Sequence, residues 1–118
     1  MEEQAGPRPV VAITVGEARR QIEAGAVQIV DIRPPFDFAG GHVPHSLNLP
    51  GQALRHQAPR LQRDRPLLVV DADGTGTEEA CALAAALGFL AVTTLDGGFE
   101  AWLAAGYDIH TISDSMPI

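Results

Sequence analysis

Residues 66–77 restrict the possible folds of this chain more than any other stretch. Leu67, Leu68, Val69 and Val70 are four consecutive apolar residues, too few for a helix and apolar on both sides of a pleat. Such a run suits a strand buried on both faces, the central position of a parallel sheet. Pro66 opens it, and the small and acidic residues 71–76 follow it. Thr77 is an expected helix N-cap, with Glu78 and Glu79 in the first turn, where the helix dipole favours negative charge. Ala80, Leu83, Ala84 and Leu87 then keep helical spacing, and Gly88 supplies a C-cap. In open α/β sheets ligands bind beyond the carboxyl ends of the strands, which makes 71–76 the first place to look for a site.

The same alternation runs through the rest of the chain. Residues 10–13 read as a strand, and Thr14 with Glu17 has capping-box spacing ahead of a helix over 15–24. Residues 26–32 read as a buried strand that Pro34 and Pro35 stop, followed by one helical turn over 36–39. A short strand over 46–49 ends at Pro50, and 52–61 carries one or two weak helical turns interrupted by Pro59. Residues 91–95 form the last expected strand, Gly97-Gly98 a turn, and 99–105 a helix that Gly106 stops. This pattern predicts an α/β domain with a mainly parallel sheet and helices on both faces. The domain is expected over 10–109, with a flexible lead-in over 1–9 and a loose polar tail over 110–118.

Charge and composition exclude several function classes. The chain has 118 residues, a length that suits one domain, and 46% of them are apolar, enough for a core. Eight Arg and no Lys stand against 15 acidic residues, for a net charge of −7, which argues against binding a nucleic-acid backbone. No apolar run approaches the roughly 18–20 residues of a membrane span. Met1 suggests a complete chain, and the acidic start Met1-Glu2-Glu3-Gln4 lacks the layout of a signal peptide, so a cytoplasmic location is expected. Cys81, the single cysteine, rules out an internal disulfide and a Cys-rich metal site. His42 and His45 lack a third ligand type nearby, and neither metal nor cofactor is expected.

Several segments in register resemble the rhodanese (sulfurtransferase) domain family. Asp31-Ile32-Arg33, Phe36-Asp37-Phe38 and Gly41-His42-Val43-Pro44 are similar to its D-x-R…E-[FY]…G-H-I-P signature. Ser46-Leu47-Asn48-Leu49-Pro50 is similar to its A-x-N-[IL]-P continuation. Leu87-Gly88-Phe89, then Leu95 to Trp102, then Gly106-Tyr107, resemble its L-G-[FY]…L-x-G-G-x-x-x-W…G-[FY]. The resemblance spans about 10–109 and implies a three-layer fold around a five-stranded sheet. Asp31 and Arg33 are expected to pair with each other or with loop backbone, His42 to fix a loop by a hydrogen bond, and Trp102 to fill the core.

The resemblance also implies a chemistry. A cysteine opening the loop after the central strand takes a sulfane sulfur, becomes a persulfide, and passes the sulfur to a thiophilic acceptor. The family's C-x-x-G-x-R-S pattern falls on Asp71-Ala72-Asp73-Gly74-Thr75-Gly76-Thr77. Gly74 and a hydroxyl at Thr77 are kept, Asp71 takes the place of the nucleophile, and Gly76 that of the arginine. The expectation is therefore a catalytically silent binding or regulatory module, with a protein partner of unknown identity and loop N–H groups of 72–76 solvating Asp71. Two alternatives stand beside it. Leu67 to Thr75 also matches the hhhh-D-x-D-G-T motif of haloacid-dehalogenase-type phosphatases, in which Asp71 would attack phosphorus and Asp73 would act as acid/base with Mg²⁺. That family needs a later Lys, and this chain has none; Asp71 and Asp73 could still hold a divalent cation. Sulfur transfer could instead run through another thiol, but Cys81 lies ten residues beyond Asp71 between Ala80 and Ala82, where a core role is expected.

Overall fold

The computed structural model describes residues 10–112. It contains five strands, β1 Val11–Ile13, β2 Gln28–Asp31, β3 Leu47–Asn48, β4 Leu67–Val70 and β5 Val92–Leu95. The helices are α1 Val15–Glu23, α2 Pro35–Gly40, α3 Ala53–Gln57, α4 Glu78–Ala86 and α5 Gly98–Ala104, with one 3₁₀ turn at Ala58–Arg60. The sheet order is β1-β5-β4-β2-β3, and every pairing is parallel. The sheet expected to be mainly parallel is wholly so.

β4 lies at the centre, as its unbroken apolar run requires, and all four of its residues are buried. The period-two alternation of a strand sorts them between two cores. Leu67 and Val69 face Leu54, Cys81, Ala84 and Phe89, beneath α3 and α4. Leu68 and Val70 face Ala18, Phe99 and Trp102, beneath α1 and α5. β2 repeats the pattern, with Val30 in the first cluster and Ile29 in the second. The result is three layers with every β4 side chain covered. Among the described residues no helix is long and apolar enough to cross a membrane.

Two local expectations need correction. Thr77 stands at the N-cap of α4, but its side chain makes no capping hydrogen bond. Its backbone is already helical (φ −96°, ψ −6°), whereas a capping side chain needs an extended residue to reach back to the N–H groups ahead. Thr14, extended at φ −69° and ψ 159°, does cap α1, accepting the Glu17 N–H at 3.1 Å. The start of the tail read as loose, 110–112, is tied down. His110 and His42 exchange backbone hydrogen bonds of 2.9 Å, and the Ile112 N–H donates to the Ala39 carbonyl at 3.0 Å. Polarity alone hid this bridge, which needs backbone groups and no apolar side chain. The expected lead-in 1–9 and the remainder of the expected tail, 113–118, lie outside the described residues.

Candidate functional site

Asp71 is the first residue after β4, and its side chain folds back under its own loop. The carboxylate accepts the Gly74 N–H on Oδ1 and the Gly76 N–H on Oδ2, each at 2.7 Å, and the residue is 6% exposed. Hydrogen bonds from backbone N–H groups to an ionised carboxylate are among the stronger ones in proteins. Gly74 has φ +89°, a conformation that a side chain would strain, and it turns the chain so that its own N–H points inward. Residues 72–76 were expected to supply such donors, and Gly74 and Gly76 do so. Asp73 behaves differently: its exposed carboxylate accepts the Thr75 hydroxyl at 2.7 Å and the Thr75 N–H at 3.0 Å. The hydroxyl first, and then that N–H, hold its carboxyl below the usual range. Asp71 and Asp73 thus hydrogen-bond to separate donors. Among the described residues no three His, Cys, Asp or Glu side chains gather where they could hold a metal.

The turn before α5 braces this loop from the other side, a role not read from the sequence. A Cβ on Gly98 would lie 2.5 Å from the Asp73 nitrogen and 2.6 Å from the Ala72 carbonyl carbon, so no other residue fits. The Phe99 and Glu100 N–H groups donate to the carbonyls of Asp71 and Ala72 at 2.8 and 2.9 Å. Open donors of the first helical turn are thereby satisfied by the loop backbone. The Gly97-Gly98 pair was legible as a turn; its packing partner is distant in sequence and left no local signal.

Asp31 and Arg33 form a second buried unit at the end of β2. Arg33 donates from Nη2 to Asp31 Oδ2 at 2.8 Å and from Nε to both carboxylate oxygens at 3.1 Å. Asp31 is fully buried and Arg33 is 8% exposed. The guanidinium also donates to the Gly41 carbonyl at 2.7 Å and lies 4.1 Å from the centre of the Phe99 ring. The expected pairing is present, and it joins β2, the end of α2 and α5. Asn48, a motif residue to which no role had been given, donates to the carbonyls of Asp31 and Arg33 at 3.1 and 2.8 Å. His42 donates from Nδ1 to the Phe38 carbonyl at 2.8 Å, the loop-fixing bond expected of it, and stacks on the Phe38 ring at 3.7 Å. The Trp102 N–H donates to the Asp108 carbonyl at 2.9 Å.

Cys81 is buried in α4 among Leu67, Val69, Ala84 and Phe89. Burial pushes its thiol up, the neighbouring Thr77 hydroxyl acts in the opposite sense, and the negative charge of Asp71 raises it further.

Residues 14–105 match the family model of the rhodanese-like domain. The chain belongs to the rhodanese-like domain family. It is 39% identical over 90 residues to the thiosulfate sulfurtransferase GlpE of Shewanella oneidensis, covering 76% of this chain and 89% of that one. It is 41% identical over 86 residues to the GlpE of Stutzerimonas stutzeri, covering 73% and 78%. Among solved structures, a rhodanese-related protein of Thermoplasma volcanium superposes with a TM-score of 0.73 at 28% identity, covering 85% of this chain and 97% of that one. The Alr3790 protein of Anabaena sp. gives a TM-score of 0.77 at 26% identity, covering 85% and 92%. In this rhodanese-like domain the loop after the central strand turns two backbone donors onto a carboxylate that the chain itself provides.

Proposed function

We propose that this rhodanese-like domain is catalytically silent and serves as a binding or regulatory module, with Asp71 standing where the family places its cysteine. One observation carries the reading: the loop donors of Gly74 and Gly76 converge on the Asp71 carboxylate at 2.7 Å each. A loop built to stabilise an anionic sulfur is here satisfied by the two oxygens of a carboxylate. A carboxylate has no sulfur with which to form the S–S bond of a persulfide. The position of the loop arginine is Gly76, so no guanidinium extends from it to hold an anionic donor. Cys81 offers no substitute, since a thiol that is buried and raised is a poor nucleophile. The relatives named as thiosulfate sulfurtransferases share the scaffold, and the proposed difference lies in the loop. A single unpaired thiol also suits the reducing cytoplasm, where we place the domain.

Thiosulfate-to-cyanide sulfur transfer tests the proposal. In that reaction a thiolate attacks the sulfane sulfur of thiosulfate, the S–S bond breaks with release of sulfite, and cyanide then removes the sulfur as thiocyanate. The native chain is expected to form no thiocyanate above a protein-free control. The double variant Asp71→Cys/Gly76→Arg restores both missing groups. A Cβ at Gly76 would approach only Asp71 Oδ2, at 3.3 Å, and the shorter cysteine removes that atom. This variant is expected to gain turnover. Native turnover that Cys81→Ala abolishes would overturn the proposal.

A further inference from the structure

We propose that the open groove between α2 and α5 is the docking surface of this domain. Its occupant is a partner polypeptide that presents an apolar side chain flanked by lysine or arginine. The proposal rests on the binding-module reading and names the chemistry of its partner.

The groove, about 350 Å³, has Phe36, Phe99, Leu103 and Ile109 along it, with Ala72 of the Asp71 loop at one side. Phe36 is 89% exposed and Leu103 52%. Both exposures follow from their elements. Phe36 and Phe38 are two apart in one helical turn and face opposite ways, so the ring of Phe38 is buried against His42 while that of Phe36 faces water. On α5, Phe99 and Trp102 face the core, which leaves Glu100 and Leu103, three residues apart, on the outer side.

Phe36 is also rigidly presented. Pro34 and Pro35 precede it with fixed φ, and the Phe38 N–H closes the turn on the Pro34 carbonyl at 3.1 Å. Arg33 clamps the other end of the turn through the Gly41 carbonyl. A backbone held this way loses little freedom on binding, which suits an anchor residue.

Charge selects the occupant. Asp37 and Glu100 line the groove, both exposed, and neither is ion-paired among the described residues. Arg33, the one cation on the groove among the described residues, is committed to Asp31 and the Gly41 carbonyl. With a net charge of −7 behind it, this surface attracts a basic segment. A second copy of the chain would set Asp37 and Glu100 against the same acidic patch, which disfavours self-association here. The groove is shallow, and among the described residues its one cation is already committed, so it fits a side chain better than an enclosed small molecule.

Selection of random dodecapeptides by phage display on the immobilised full chain tests the proposal. A selected peptide, labelled, is then titrated by fluorescence polarisation against the native chain, Phe36→Ala and Asp37→Asn/Glu100→Gln. Recovered peptides are expected to carry an aromatic or aliphatic residue flanked by Lys or Arg. Phe36→Ala is expected to weaken binding by about tenfold or more at unchanged Tm, since the lost ring is solvent-exposed. The double neutral variant is expected to weaken binding and flatten its salt dependence. Acidic or patternless peptides, binding that survives Phe36→Ala, or a dimer that Phe36→Ala dissociates would each overturn the assignment. Native sulfur transfer would sink the silent-module reading while leaving Phe36-dependent peptide binding in place. A native chain with no turnover whose peptide binding does not depend on Phe36 would sink the groove alone.

Discussion

Two backbone N–H groups, of Gly74 and Gly76, point at the one carboxylate of Asp71, so any replacement must answer both. Asparagine answers one with its carbonyl oxygen and turns an NH₂ toward the other, donor against donor. Asp71→Asn is therefore expected to destabilise the fold by about 1–3 kcal/mol, the range for leaving a buried polar group unsatisfied, read as a lower urea midpoint at unchanged slope. An unchanged midpoint would mean the two bonds contribute nothing. Cys81 yields a pH prediction. Its pKa is raised, first by burial, so the neutral thiol persists to higher pH in the folded chain than in the unfolded one. Iodoacetamide alkylation of the folded protein should then rise with pH only above the ordinary thiol range near about 8.5. Unfolding in urea should return it to that range, whereas a folded-state midpoint at or below it would contradict the burial account.

Threonines at the starts of two helices separate what local sequence can and cannot reveal about an element. Thr14 and Thr77 read alike as N-caps, yet only Thr14 uses its hydroxyl as one. Thr14→Ala is expected to cost about 0.5–2 kcal/mol, measured by urea denaturation. An unchanged midpoint would mean that the Thr14 hydroxyl contributes nothing. The difference arises upstream, where the Asp71 carboxylate draws the Gly76 N–H inward and Thr77 enters the helix with helical angles. Glycine at 98 has a similar origin: the requirement comes from the backbone of Ala72 and Asp73, which the fold brings against it. Both effects belong to the meeting of two elements, beyond the reach of a reading confined to either.

At the scale of the whole molecule, the legible features were those in which one segment contains its own reason. Leu67–Val70 is a strand because four apolar residues need two covered faces, and the three-layer fold follows from that run and its neighbours. The Asp31–Arg33 pair was legible because its partners stand two residues apart at a strand end. The candidate loop was legible because it leaves that strand for a helix, and its donors because Gly74 and Gly76 fall within it. Features made by distant segments stayed hidden: the His42–His110 bridge, the brace of Gly98, and the tie from Asn48 to β2. Phe36 did have a signal, an apolar residue two before a buried aromatic in one helical turn, directly after two prolines. The central claim is that this loop, closed on its own carboxylate, carries no sulfur. Intact-mass spectrometry of the native chain after incubation with thiosulfate tests it most directly: the account predicts an unchanged mass, and the gain of one sulfur atom, lost again in Cys81→Ser, would contradict it.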